Sequence, residues 1–420
     1  MKHLHIPSII AIMAVIASCA DRPGPDEPEP PTPEQPAIEQ RADLILPESA
    51  LMEVDRLLNQ IHDTEHAGLP AYNEDGIIAY GGTGIGATGF MLPDSTIYII
   101  NFEDNAGFAV MAASAELKTT SILCITESGS LYPEDLNAAI ERLEELSNAE
   151  ISADGNFTPN ECGENFVPMM IALSIINQVY CSNSTDSQWS LSDLNPDPGK
   201  TYSFENSGEN GPYLNTKWHG DLPFSASSAT VAVAQILEYI CPQWGYNHPT
   251  HEFDWELLGT VCNSNNPSDQ GSTEARLAVE ELVRLIESEG QDEDGIIKTF
   301  TDFGLKNITV EHETSEVFSK FLTQIGMTPL YLSTAINGQG HSFVLDGYMN
   351  CKKYMAGDFL ELIRMYHVNW GLNGLYDGYY NLLTLFPHTL VNGINENTAY
   401  TPWLEWEYSL IEARPLPSEE

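Results

Sequence analysis

The stretch TKWHGDLPFSASSATVAVAQILEYICPQWGY, Thr216–Tyr246, decides the fold. From Ser228 to Ile240 almost every position is apolar or small, so it reads as a helix buried on most sides. A serine stands at its N-terminus, where the helix dipole favours negative charge and can lower the pKa of a nucleophile. Ser228 therefore has three readings: a nucleophile, an N-cap, or the remnant of a lost nucleophile.

Outward from this helix, Thr273–Ser288 has helical spacing. Apolar runs follow at Met327–Thr334, His341–Met349, Ile363–Trp370, Gly378–Leu385 and Trp406–Ala413, all of which read as strands. The expectation is α+β: a helical part leading into an antiparallel β part over residues 206–420. Residues 41–133 read as a separate α+β block. It has a helix over Ser49–His62 with a serine cap, a hairpin around Asp104–Gly107, and a strand at Ser121–Thr126. Residues 134–205 hold two helices, Glu134–Asn148 and Phe166–Tyr180. A polar loop, Cys181–Ser203, then serves as a domain junction.

Four segments of the third block resemble the streptopain family, papain-fold cysteine proteases of bacteria. TKWHGDLPF resembles its Trp-x-Gln-x-x-Pro-Tyr segment, and SSATVAVAQILEY resembles its cysteine-bearing helix. FDW, Phe253–Trp255, recurs in the family. GQGHSFVLDGY with YHVNWGLNGLYDGYYNL is the most specific match. The run Ile97–Ser114 resembles the family's inhibitory propeptide domain. The resemblance implies a papain-like fold preceded by a propeptide-like block. It places His341 at the general-base position and Asn369 and Trp370 where they would orient and shield the imidazole. On the other side of the cleft the family pattern fails. The nucleophile position is Ser228, and counting from Trp218 puts Gly220 at the oxyanion glutamine. A serine hydroxyl is a much weaker acid than a thiol, and a missing oxyanion donor typically costs about 10²–10³ in turnover.

The chain has 61 acidic and 17 basic residues, a net charge of −44, which repels phosphate backbones and excludes nucleic acid as a partner class. The N-terminus carries a short positive start, an apolar run over Ile6–Ile16, and Ile16-Ala17-Ser18-Cys19, which resembles a bacterial lipobox. Residues 1–19 are expected to be a lipoprotein signal peptide with Cys19 as the lipidated residue. Residues 20–40, rich in proline and glutamate, are expected to be a tether. The expected location is exported, lipid-anchored to the outer membrane or cell surface. The other six cysteines are widely spaced with no C-x-x-C pair, so no zinc site is expected and no pairing is assigned. His248 and His251 could ligate a metal, but the sequence supplies no third ligand nearby. Asp292–Gly295 has the start of a calcium loop without the remaining spacing, and reads as a solvated acidic turn. No cofactor or metal is expected.

Three functions fit these residues. One is a non-proteolytic peptidase homologue that binds a polypeptide in its cleft. Another is a peptidase using a Ser228–His341 dyad. The third is a protease inhibitor acting through the propeptide-like block.

Overall fold

The computed structural model describes residues 45–61, 70–82, 84, 85, 90–92, 94–114, 121–148, 160, 161, 163–182, 202–218, 226–263, 269–312, 328–336, 339–355, 357–386 and 406–415. In the first half the elements are α1 (Pro47–Ile61), β1 (Tyr72–Tyr80), β2 (Gly84–Ile85), β3 (Phe90–Met91), β4 (Ile97–Phe102), β5 (Phe108–Ala112) and β6 (Ile122–Thr126). Next come α2 (Pro133–Asn148), β7 (Asn160–Glu161), α3 (Phe166–Ser182) and β8 (Tyr202–Asn210). The second half holds α4 (Ser228–Trp244), α5 (Trp255–Leu258), α6 (Thr273–Glu289), α7 (Glu293–Asp302), β9 (Lys306–Glu311) and β10 (Leu330–Ile336). It ends with β11 (Gln339–Met355), β12 (Asp358–Asn369), β13 (Gly378–Asn381), α8 (Leu382–Leu385) and β14 (Trp406–Arg414).

The architecture is the expected mixture of helices and antiparallel sheet. The strands read from the sequence are apolar at consecutive positions because the sheet is buried on both faces. Successive strand residues point to opposite sides. Thus Phe343 and Leu345 of β11 join one core, with Leu330 and Leu332 of β10 and with α1 and α3. Val344 joins the other, with Tyr331, Ile411 and the helices α4, α6 and α7.

Among the described residues, twelve strands form one sheet in the order β1-β4-β5-β6-β13-β12-β11-β10-β14-β9, with β7 and β8 pairing on β11. The blocks read as separate from sequence are therefore joined. β6 pairs antiparallel with β13, Thr126 opposite Gly378 and Cys124 opposite Tyr380. The described residues, all within 42–420, belong to one compact unit. The junction between the second and third blocks falls inside β8, a strand that the polar sequence concealed; its side chains alternate between exposed and half-buried against β11.

Local chemistry explains the ends of the elements. α6 buries Ala275, Val279, Leu282, Val283 and Ile286, one helical stripe, and Ser272 caps it by accepting from Ala275 N. The helix expected to be capped at Ser49 begins earlier, at Pro47, whose ring pre-sets the first-turn φ. The strand expected through Leu385 stops at Asn381, whose side chain accepts from Thr384 N and starts α8. Asp292–Gly295 is a helix start: Asp292 caps α7 by accepting from Gly295 N at 3.0 Å.

A buried ion pair also joins the blocks. Lys353 of β11 meets Glu53 of α1 at 2.7 Å, and both side chains are nearly inaccessible. Removing one partner leaves a buried charge unpaired, so Glu53→Ala is expected to lower unfolding free energy in urea by about 3–5 kcal/mol. The double variant Glu53→Leu with Lys353→Met is expected to recover most of that loss.

Candidate active site

The N-cap of α4 is Ser227, not Ser228. Ser227 has extended backbone (φ −69°, ψ 155°) and its Oγ accepts from Thr230 N at 3.2 Å. The cap reading of Ser228 is thereby corrected: with the preceding serine in the capping position, Ser228 is the first helical residue. It is buried, and its Oγ accepts the backbone N–H of Ser342 at 3.0 Å. That bond draws on the lone-pair density with which the hydroxyl would attack a carbonyl.

His341 precedes Ser342 on β11 and lies on the opposite face. Alternation puts it with Phe343 and Leu345 on the α3 side. Ser342 points the other way, its Oγ 2.9 Å from Tyr331 Oη and 3.1 Å from Ser333 Oγ. The His341 Nε2 lies 2.7 Å from the Trp370 carbonyl. A carbonyl only accepts, so Nε2 carries the proton and Nδ1 is the basic nitrogen of the neutral ring. Phe166, the first residue of α3, stacks on the imidazole at 5.6 Å and 28°. The Trp370 ring flanks it at 6.2 Å. His341 is 1% exposed.

Trp370 thus supplies both an orienting carbonyl and a shielding ring. Asn369 does something else. Its Nδ2 donates to Thr216 O at 3.0 Å, and its Oδ1 accepts from Gln235 Nε2 and from Gly371 N, each at 3.0 Å. Gln235 Oε1 in turn accepts from Trp218 N at 3.0 Å. Asn369 and Gln235 therefore lock the end of β12 to the middle of α4 and to the segment before the cleft. Gln235 is a positioning residue that the motif reading used only as a counting mark. Gly371 follows with φ 68°, and a Cβ there would meet Val231 Cγ1 at 3.1 Å, so glycine lets this turn lie on α4. Gly220 and Cys19 lie outside the described residues.

Behind the site runs a chain of charges. Asp377 Oδ1 accepts from Trp370 N at 2.8 Å, and its other oxygen lies 3.2 Å from Lys217 Nζ. Lys217 reaches Glu127 at 3.3 Å, Glu127 reaches His367 Nε2 at 3.3 Å, and His367 Nδ1 lies 2.5 Å from Asp346. Glu127 comes from the first block, just after β6. Burial alone would raise its pKa, but His367 and Lys217 hold it well below the usual carboxylate range. Burial alone would lower the His367 pKa, but Asp346 and Glu127 hold it up to about 10.

Elsewhere, His248 stands beside two carboxylates that the sequence did not place near it, in a cluster that does not include His251. Glu289 and Asp302 bring their ligand atoms and that of His248 within 4.8 Å of one another. Lys298 bonds both carboxylates, Asp302 at 2.7 Å, and so meets the charge of this cluster. Cys124, Cys241, Cys262 and Cys351 are buried. No described helix is long and apolar enough to cross a membrane.

Residues 215–380 match the model of the Peptidase C10 family. Over that segment the chain is a homologue of the streptopain-family peptidases, as the motifs around His341 and Trp370 implied. No curated protein matches the sequence. A solved fragment of prointerpain A from Prevotella intermedia, carrying a cysteine-to-alanine substitution, is similar at 18% identity. That match covers 83% of this chain and 100% of that one, with a TM-score of 0.43.

The charge chain sets a pH dependence. The raised His367 pKa means that protonation stabilises the fold. This contribution is complete below the ordinary value of 6.5 and is lost as pH rises toward about 10. The depressed Glu127 pKa acts oppositely. Its contribution is present above the ordinary value of 4.5 and is lost as pH falls below it. Urea unfolding across this range is expected to show a decline on the alkaline side that His367→Gln flattens, and an acid-side decline that Glu127→Gln reduces.

Proposed function

We propose that this chain is a non-proteolytic streptopain-family homologue, exported and lipid-anchored through Cys19, whose papain-like body engages polypeptide rather than cleaving it. The observation that carries the reading is the arrangement around β11. Ser228 is bonded to the Ser342 amide on one face, while His341 is turned to Trp370 and covered by Phe166 on the other. A serine nucleophile needs its base at the hydroxyl, and these contacts direct the two side chains elsewhere. The Gly220 position, read from the sequence, supplies no side-chain oxyanion donor. The peptidase-family match supports a polypeptide as the ligand class. Seating it in the cleft beside His341 requires α3 to withdraw, because Phe166 occupies the face of the imidazole.

A dyad peptidase is the second reading. The His341 tautomer favours it, since a proton fixed on Nε2 by Trp370 leaves Nδ1 as the base. Casein digestion separates the two. Wild type, Ser228→Ala and Ser228→Cys are all expected to leave denatured casein intact. Cleavage by the wild type that Ser228→Ala abolishes would establish the dyad instead.

The anchor is tested separately. Metabolic labelling with palmitate in a bacterial host is expected to mark the wild type, and Cys19→Ser is expected to lose both label and membrane association. A soluble, unlabelled wild type would remove the lipoprotein reading.

A further inference from the structure

Helix α4 carries a second unusual residue beyond its midpoint. Glu238 lies ten residues beyond Ser228, about 15 Å along the axis at the helical rise. The residue is 8% exposed, yet its Oε2 has no hydrogen-bond partner among the described residues. A buried carboxylate without a partner is costly and calls for an explanation. The surroundings make room for it. A Cβ on Gly259 would come within 2.7 Å of Glu238 Oε1. Gly259 has φ −64° and ψ −7°, which any residue adopts, so glycine serves space here and not backbone freedom.

Glu238 lines a cavity of about 580 Å³ together with Asn215, Trp255, Glu256, Gly259 and Asn263. Among the described residues that line it there is no lysine, arginine or histidine. The Trp255 Nε1 is spent on Tyr246 O at 3.0 Å, so Trp255 offers the cavity its ring. The described residues gather no third carboxylate or histidine here, which a hard divalent cation would need. Two carboxyls beside an aromatic wall suit an organic cation, whose stem packs on the ring and whose head meets the carboxylate.

We propose that this cavity binds the cationic side chain of a polypeptide, an arginine or a lysine, with its head group on Glu238 and its stem along Trp255. Burial pushes the Glu238 carboxyl up to about 7, and a bound cation would offset that cost and favour the ionised form. The site is distinct from the Ser228 end of the same helix, and does not depend on whether that end retains activity.

The test is calorimetric titration of the full chain at about pH 8, where the Glu238 carboxyl is mostly ionised. The probes are a capped Ala-Arg-Ala peptide, its norleucine counterpart and butylguanidinium. The arginine peptide is expected to bind saturably in the millimolar range or tighter, and better than butylguanidinium. Glu238→Gln is expected to weaken it about tenfold or more, and the norleucine peptide is expected not to bind. Absence of saturable binding by the wild type would overturn the proposal, as would equal binding by Glu238→Gln. Butylguanidinium binding as tightly as the peptide would overturn the polypeptide assignment.

Discussion

The pairing of β6 with β13 is the constraint on which the rest of the structure depends. It makes the propeptide-like strands the continuation of the peptidase-like sheet. Once β6 is fixed there, Glu127 falls between Lys217 and His367, and the chain of charges reaches the Trp370 amide through Asp377. The carbonyl of the same Trp370 orients His341. A residue of the first block thus acts, through two ion pairs and two hydrogen bonds, on the placement of the imidazole. Glu53 and Lys353 make a second buried link between blocks, and Phe166 a third, apolar one.

This integration changes how the first block is understood. A domain held by a polar interface opens readily. Here the contact is a shared hydrophobic core running from Val54 and Leu57 of α1 through Phe166 to Phe343 and Trp370. Buried ion pairs across such a contact add little net stability but penalise any separation that leaves one charge behind. Closure over His341 is therefore built into the core of the molecule, and the two sides of the site face different environments across one strand. Ser228 reaches β11 from the end of α4, and His341 is covered from the α3 side.

Much of this arrangement is legible in the sequence, for reasons that differ between elements. The motifs around His341 and Trp370 locate the β11 and β12 strands because turn glycines and consecutive apolar residues constrain the backbone locally. The helix at Ser228 is equally plain. Its cap is not: two adjacent serines can both cap, and only the contact with Ser342 sets which one does. Asn369 has the residue type that could orient an imidazole, but its partner is chosen by the packing of α4, and it goes to Gln235. Glu127 and Lys217, ninety residues apart, meet only because the strands between and beyond them pair. The ligand atoms near His248 come from the ends of two helices, a proximity that no local spacing reveals. β8 was hidden because a strand on the sheet's edge, half-exposed and polar, looks like a loop.

The central claim is that the first block and the peptidase-like body form one cooperative unit through β6 and β13. Native-state hydrogen exchange tests it most directly. The account predicts that the amides of Cys124 and Tyr380, on the paired strands, exchange with the same free energy and the same urea dependence as the amides of β11 and β12, that is, only on global unfolding. Exchange of β6 through a smaller opening, while β11 and β12 stay protected, would show a detachable domain and contradict the account.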